Sequence, residues 1–442
     1  MGKFAIIFFL TFGSGIIATL AVDASWGIYL WIIEYFFNPR IRWWYDQLPE
    51  LRYSFLIILS ILISYALRWK QYSHNRLGAL PQAKWIAALV IMCGFINLWA
   101  VWPAMHWKYF TAFFKLIVII AIIYKVIDTP VKFERMTWAY MLGAFYIGWI
   151  AFSGGRTAGG RLSGIGFTDG MDDNAVAAAI ASVIPLVIYY VFYETKIVLR
   201  GIAVIFLAFM LNTLILANSR GAFLGLTVSM IYYFLRTFYS PVPTKDKKKY
   251  QFMLVGFCAV GLFFYLTDAA FWERMATLGE AAEQASNKTG RTYFWLKAID
   301  LVQDHPWGVG IWGYQYLSPG FIPPDLLTTG QYGAMRAVHS TLFQSLVEYG
   351  YLGIVLLGGM VVSTFLFMWR VQKYLLAESL NKLYLKSISI ESTFIAFLIP
   401  ALFLDRLYAQ SLYVNMVLIA CFGNIYFLQK NNAVSNSSSK KN

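Results

Sequence analysis

The chain has 442 residues, of which 59% are hydrophobic, 18% aromatic and only 13% charged. Soluble domains carry about 25% charged residues, so this composition excludes a soluble enzyme, a disordered protein and a nucleic-acid module, and it describes an all-α polytopic membrane protein. The net charge of +14 would point to nucleic acid in a soluble chain; in a membrane protein it reports Lys and Arg left in cytoplasmic loops.

Apolar runs fall at about 4–21, 24–37, 53–69, 83–101, 109–127, 136–152, 174–193, 198–217, 220–239, 250–269, 340–369, 386–404 and 411–428. They are long and continuous, unlike the short alternating segments of a β-barrel. At about 20 residues per crossing, they predict 12 crossings, or 13 if the second run also spans. That run ends at Asn38-Pro39 and either lies along the interface or pairs with the first run as a hairpin. Met1–Leu20 opens on Lys3 like a signal peptide, but no small-x-small cleavage site follows, so an uncleaved first segment is expected. The predicted organisation is therefore helices 1–10 within residues 1–269, a large outer loop at 270–338, the C-terminal membrane helices at 339–429 and a disordered cytoplasmic tail at 430–442.

Four segments, 68–84, 236–249, 370–386 and the tail, each carry a net charge of +3 or +4 and together account for the whole net charge. Alternating crossings put all four on one side, which the positive-inside rule makes the cytoplasm. The opposite side receives 38–52, 102–108, 153–173, the turn near Asn218, the loop 270–338 and 405–410. The long loop has a net charge of −1. Phe271–Ala285 and Gly290–Asp304 show helical apolar spacing. Beyond His305-Pro306 the loop is rich in Gly and Pro, which suits a shaped cavity.

Ionisable groups at membrane depth are expensive and mark function. Arg220, in Asn218-Ser219-Arg220-Gly221, sits between two apolar runs with almost no loop. It either snorkels to the interface or binds an anion at a helix start, where free N–H groups add to its charge. Arg291, in Thr289-Gly290-Arg291-Thr292, opens the second loop helix and invites the same reasoning. His339, where the long loop re-enters the membrane, can exchange a proton near neutral pH. Glu348 lies further along that helix; it orients a helix partner, lines a cavity or forms an interior ion pair. Segment 153–173 holds Arg156, Arg161, Asp169, Asp172 and Asp173; the two adjacent acids are read as helix caps rather than metal ligands. Cys93, Cys258 and Cys421 are read as small core residues. No phosphate-binding loop, Rossmann fingerprint or metal-ligand spacing appears, so neither a cofactor nor a metal is expected. Arg161, Arg220, Arg291 and His339 on one non-cytoplasmic face suit an anionic lipid-linked substrate, with arginines neutralising a pyrophosphate and the histidine taking a hydroxyl proton.

Several elements, in this order, resemble the O-antigen ligase superfamily, which includes O-antigen polymerases and protein O-oligosaccharyltransferases. They are Arg161-Leu162-Ser163-Gly164, Asp173-Asn174 opening a helix, and Asn218-Ser219-Arg220-Gly221-Ala222. Gly290-Arg291 with Trp295, His305-Pro306-Trp307-Gly308-Val309-Gly310, and His339-Ser340 with Glu348-Tyr349-Gly350 and Gly353 complete the set. Asn38-Pro39-Arg40 is more loosely similar to an O-glycosylation ligase branch. The resemblance implies a GT-C-like glycosyltransferase of the bacterial inner membrane, acting without a metal at the periplasmic face. It implies a donor glycan on undecaprenyl pyrophosphate and a sugar hydroxyl of lipid A core as acceptor. By motif position, Arg220 and Arg291 bind the pyrophosphate, with Arg161 contributing, and His339 is the essential histidine near the acceptor. A flippase for lipid-linked sugars is the reading from another class; charge concentrated at the outer face favours the enzyme.

Overall fold

Long apolar runs fold as helices because a bilayer offers backbone polar groups no partner except each other. The structure, a computed structural model, describes residues 2–155, 162, 164–243, 248 and 290–430. The run 250–269 with Cys258, the loop helix expected at 271–285, Arg156, Arg161 and the tail 431–442 lie outside the described residues. The helices are α1 (Lys3–Ala21), α2 (Ser25–Phe37), α3 (Tyr53–Leu67), α4 (Pro81–Ile96), α5 (Pro103–Val126), α6 (Pro130–Gly154), α7 (Asp173–Tyr193), α8 (Ile197–Ala217), α9 (Arg220–Phe238), α10 (Arg291–Asp304), α11 (Thr341–Ala377), α12 (Asn381–Ala401) and α13 (Gln410–Gly423). A two-stranded antiparallel hairpin, β1 (Thr328–Gly330) and β2 (Gly333–Met335), lies between α10 and α11.

Local chemistry sets the boundaries. Pro81, Pro103 and Pro130 open α4, α5 and α6 at the position where a missing N–H costs nothing. Asp172 caps α7 by accepting from the Asn174 backbone N–H at 3.2 Å, as the two adjacent acids predicted. Asn218 ends α8 in the left-handed conformation (φ 50°), and α9 begins two residues later at Arg220.

Among the described residues, eight helices are long and apolar enough to cross a membrane, or nine if α3 and its sharply bent continuation count as one span. The chain is thus a multi-pass membrane protein. Helices α7, α12 and α13 form the centre and are buried over most of their length. Large apolar side chains on the outward faces of α1, α3, α4, α8, α9 and α11, such as Leu10, Ile63, Phe95, Ile205, Ile231 and Val355, are exposed and so form the lipid-facing surface. The second apolar run pairs with the first, one of the two arrangements open to it. Helix α2 pairs with α1, also packs against α3 and α6, and buries Ile28, Trp31, Tyr35 and Phe36.

The loops gather at two ends. At one, Lys132 pairs with Asp23 and Asp128, Asn75 reaches Lys125 and Asn424, and the Lys382 carbonyl meets Tyr189. This end carries the basic segments 68–84 and 370–386. Interior charges here are paired: Lys386 with Glu134 and Tyr190, and Glu391 with Tyr232 and with Gln372, which also binds Arg236. Such pairing is what burial of charge demands. The other end gathers 38–48, 100–106, 164–172, 218–220, 290–340 and 404–411 through contacts such as Arg42 with Gly166, Tyr35 with Asp169 and Val101 with Val309. Cys93 and Cys421 are buried free thiols, consistent with core roles.

Candidate functional site

Arg220 and Arg291 are each the first residue of a helix, α9 and α10, and neither preceding residue caps its helix with a side chain. Among the described residues, no side chain of the preceding residue occupies the donors of either N-terminus, so an anion can bind there beside a fixed positive charge. The two guanidinium groups feel one another: burial lowers the pKa of Arg291 most, followed by repulsion from Arg220. His339 immediately precedes α11 and is held at φ 55°. Burial, then Arg336 and Arg291, push its pKa down to about 4, against the opposing pull of Asp172. Three of the residues predicted from sequence, Arg220, Arg291 and His339, thus converge; Arg161 lies outside the described residues.

The turn between α12 and α13 locks His339 in place. The Asp405 carboxylate accepts from the Ser340 N–H at 3.0 Å and also from the His339 N–H. Thr341 accepts from the Arg406 N–H at 2.9 Å and donates to the Leu404 carbonyl at 2.7 Å. The Arg406 guanidinium donates to the Asp169 carbonyl at 3.0 Å and reaches Asp172 at 3.4 Å. Asp169 in turn caps α13, accepting from the Gln410 and Ser411 N–H groups at 2.8 and 3.1 Å and from Tyr35 at 2.6 Å. The acids of the site are thus committed to caps and arginines. Among the described residues, no three His, Cys, Asp or Glu side chains gather as metal ligands.

The glycine-rich stretch after α10 docks onto a break in α11. Val309 and Gly310 donate to the Val347 and Glu348 carbonyls at 2.9 and 3.1 Å, and Tyr351 donates back to Pro306 at 3.2 Å. Gly350 adopts φ 66° at this break, against the Pro306 carbonyl. A side chain there meets both a left-handed backbone, costing about 1–3 kcal/mol, and that carbonyl. Gly350→Val is expected to lower the thermal stability of the solubilised protein, whereas Gly358→Ala, where space is open, leaves it unchanged. His106 is structural: Nδ1 accepts from the Ile311 N–H at 2.9 Å, while Nε2 donates to the Cys93 carbonyl at 2.9 Å.

Glu348 is fully buried and makes no ion pair among the described residues. It accepts from Tyr408, from Gln344 at 3.3 Å and from the Trp312 N–H at 3.3 Å. It therefore orients partners, one of the roles open to it from sequence. Those three partners, with His339, Arg336 and Arg406, line a cavity of about 1010 Å³ that also contains Lys108, Tyr109 and Tyr332. Arg220 and Arg291 are not part of its lining. His339 consequently faces the cavity while remaining within electrostatic reach of Arg291.

Sequence reasoning missed Arg336, Asp405 and Arg406. The pair Asp405-Arg406 carried a usable signal: two charges in a short turn between apolar runs, the pattern that singled out Arg220. Arg336 carried none, being one of several loop cations.

The pH dependence follows from these groups. With its pKa near 4, His339 is a neutral imidazole throughout pH 5–8, so it does not impose an acid limb near 6.5. Asp405 is pushed up to about 6 by burial, against its backbone bonds and Arg406. Falling pH therefore protonates Asp405 first, weakening its hold on the His339 segment. A rate profile of the substrate-free enzyme (kcat/KM against pH) should show an acid limb near 6 that Asp405→Asn removes; a limb unchanged in that variant would assign it elsewhere.

Residues 203–358 match the family model for O-antigen ligase. The match runs from α8 past the break in α11 and contains Arg220, Arg291 and His339. No curated protein matches the chain. The match covers about a third of the chain and supports a likeness to the O-antigen ligase superfamily, a family of glycan-transferring enzymes whose substrates are lipid-linked glycans.

Proposed function

We propose that this chain is an O-antigen ligase: a GT-C-like bacterial inner-membrane enzyme with about 12 crossings that transfers a glycan at its periplasmic face. The donor is the glycan on undecaprenyl pyrophosphate and the acceptor is a sugar hydroxyl of lipid A core. The observation that carries this reading is the convergence of two uncapped, arginine-headed helices on a histidine that borders a large cavity. The donor pyrophosphate sits at the starts of α9 and α10, under Arg220 and Arg291, with Arg161 assigned to the same role. His339 faces the acceptor.

The acceptor hydroxyl attacks the anomeric carbon from the side opposite the pyrophosphate. The new C–O bond forms as the old one breaks, so configuration inverts. The hydroxyl proton passes to His339, and undecaprenyl pyrophosphate leaves with the bonding pair. Negative charge grows on that leaving group in the transition state, so the arginines favour the transition state over the ground state. Donor binding also serves the base: phosphate charge beside Arg291 offsets the cation that depresses His339, so His339 becomes a stronger base once the donor is in place. No step calls for a metal, and a chelator should leave the rate unchanged.

Loss of the protein distinguishes this reading from its neighbours. A lost ligase leaves polymerised lipid-linked glycan and bare lipid A core. A lost polymerase leaves single repeats still attached to the core, and a lost flippase traps precursor on the cytoplasmic side. Either of the last two phenotypes would overturn the ligase reading.

A further inference from the structure

One wall of the cavity that His339 borders has a composition that proton transfer does not require. Trp312 and Tyr109 stack with ring centroids 5.3 Å apart, Tyr332 meets Trp312 edge-on at 6.1 Å, and all three are partly exposed in the cavity. Around them stand Gln315, Gln331 and Thr328. Aromatic faces beside amides and hydroxyls match a sugar ring, whose C–H faces seek a π surface and whose hydroxyls seek polar partners.

This wall is built rather than incidental. Trp312 is a non-glycine residue at φ 66°, a conformation held by the bond from its N–H to buried Glu348. Tyr332 occupies the turn of the β1–β2 hairpin, and its hydroxyl accepts from Lys108 at 3.3 Å, tying the hairpin to α5. Arg336 follows the hairpin, stacks over Phe294 at 4.6 Å and donates to Thr328 at 3.1 Å. Two of these residues are cations, and neither Lys108 nor Arg336 has a carboxylate partner among the described residues. Arg406, by contrast, is matched by Asp172.

We propose that this cavity wall is a subsite for an acidic saccharide, in which Tyr109, Trp312 and Tyr332 stack on the sugar rings while Lys108 and Arg336 recognise a phosphate or carboxylate substituent. The proposal rests on the transferase reading in one respect: the saccharide is taken to belong to the acceptor. It adds that the enzyme selects its acceptor by charge. Glu348 is the positioning residue of the subsite, since it fixes Trp312, Tyr408 and Gln344 together.

The test uses the full-length protein in nanodiscs without donor, with calorimetric titration of two probes: phosphorylated core oligosaccharide and the same material dephosphorylated with hydrogen fluoride. A charge-assisted contact separates the two by about tenfold in affinity, so the wild type should bind the phosphorylated form about tenfold more tightly. Lys108→Gln and Arg336→Gln should each shrink that difference, and Tyr332→Ala should weaken both forms alike. Equal binding of both forms, binding of neither, or an undiminished difference in Lys108→Gln would overturn the subsite. The two claims fail separately. A protein that discriminates the probes yet transfers no glycan keeps the subsite and loses the ligase reading. One that transfers while Lys108→Gln and Arg336→Gln change nothing loses the subsite alone.

Discussion

His339→Ala should abolish glycan transfer while leaving the protein folded and membrane-inserted. Removing a general base costs about 10²–10⁴-fold, and no other imidazole stands in for it: His106 is tied up between Ile311 and Cys93, His74 lies at the opposite end of the bundle beside Asp128, and His305 is exposed at the far end of α10, outside the cavity lining. Folding should survive because what fixes the local chain is the backbone of residues 339 and 340, held by Asp405, not the imidazole. Transfer rate, donor binding and thermal stability measured together check this. A loss of rate accompanied by a loss of stability would reduce His339 to a structural role, and a rate within a fewfold of wild type would remove it from the chemistry.

Arg220→Ala and Arg291→Ala should each lower kcat by about 10²–10³-fold, the cost of removing one preorganised donor to developing negative charge. Their effects should not add, because the proposal sets both cations on one anion and Arg220 lies close enough to depress Arg291. Lysine at either position should recover only part of the rate, since a point charge replaces a planar fork. Single-turnover rates at saturating donor check this against simple loss of binding: a rise in donor KM with unchanged kcat would mean that the arginines bind the ground state and transition state equally.

The sequence carried much of the site because its informative residues break a strong local rule. An arginine between two apolar runs, or a histidine where a loop re-enters the membrane, stands out against lipid-compatible neighbours, and Arg220 and Arg291 each open a helix as expected. Charge counting also anticipated that 68–84 and 370–386 share an end of the bundle. Other features depend on contacts remote in sequence. Nothing local in Asp405 shows that it holds residue 340 by its N–H, and nothing in Glu348 shows that its partners include Trp312 and Tyr408. The short run at 24–37 was ambiguous because thirteen residues fall below a full span; its burial against α1, α3 and α6 comes from packing, which periodicity does not encode. The value of Gly308 and Gly350 likewise appears only when the segment after α10 meets the break in α11.

The most direct measurement is transfer in a purified system: the protein in nanodiscs, undecaprenyl-pyrophosphate-linked glycan, and lipid A core lacking that glycan, with wild type and His339→Ala compared in the presence of chelator. The expected result is glycan joined to lipid A core with inverted anomeric configuration and one undecaprenyl pyrophosphate released per transfer, by the wild type alone. Transfer by His339→Ala at the wild-type rate, a requirement for added metal, or lengthening of the lipid-linked glycan with the core left bare would contradict the account.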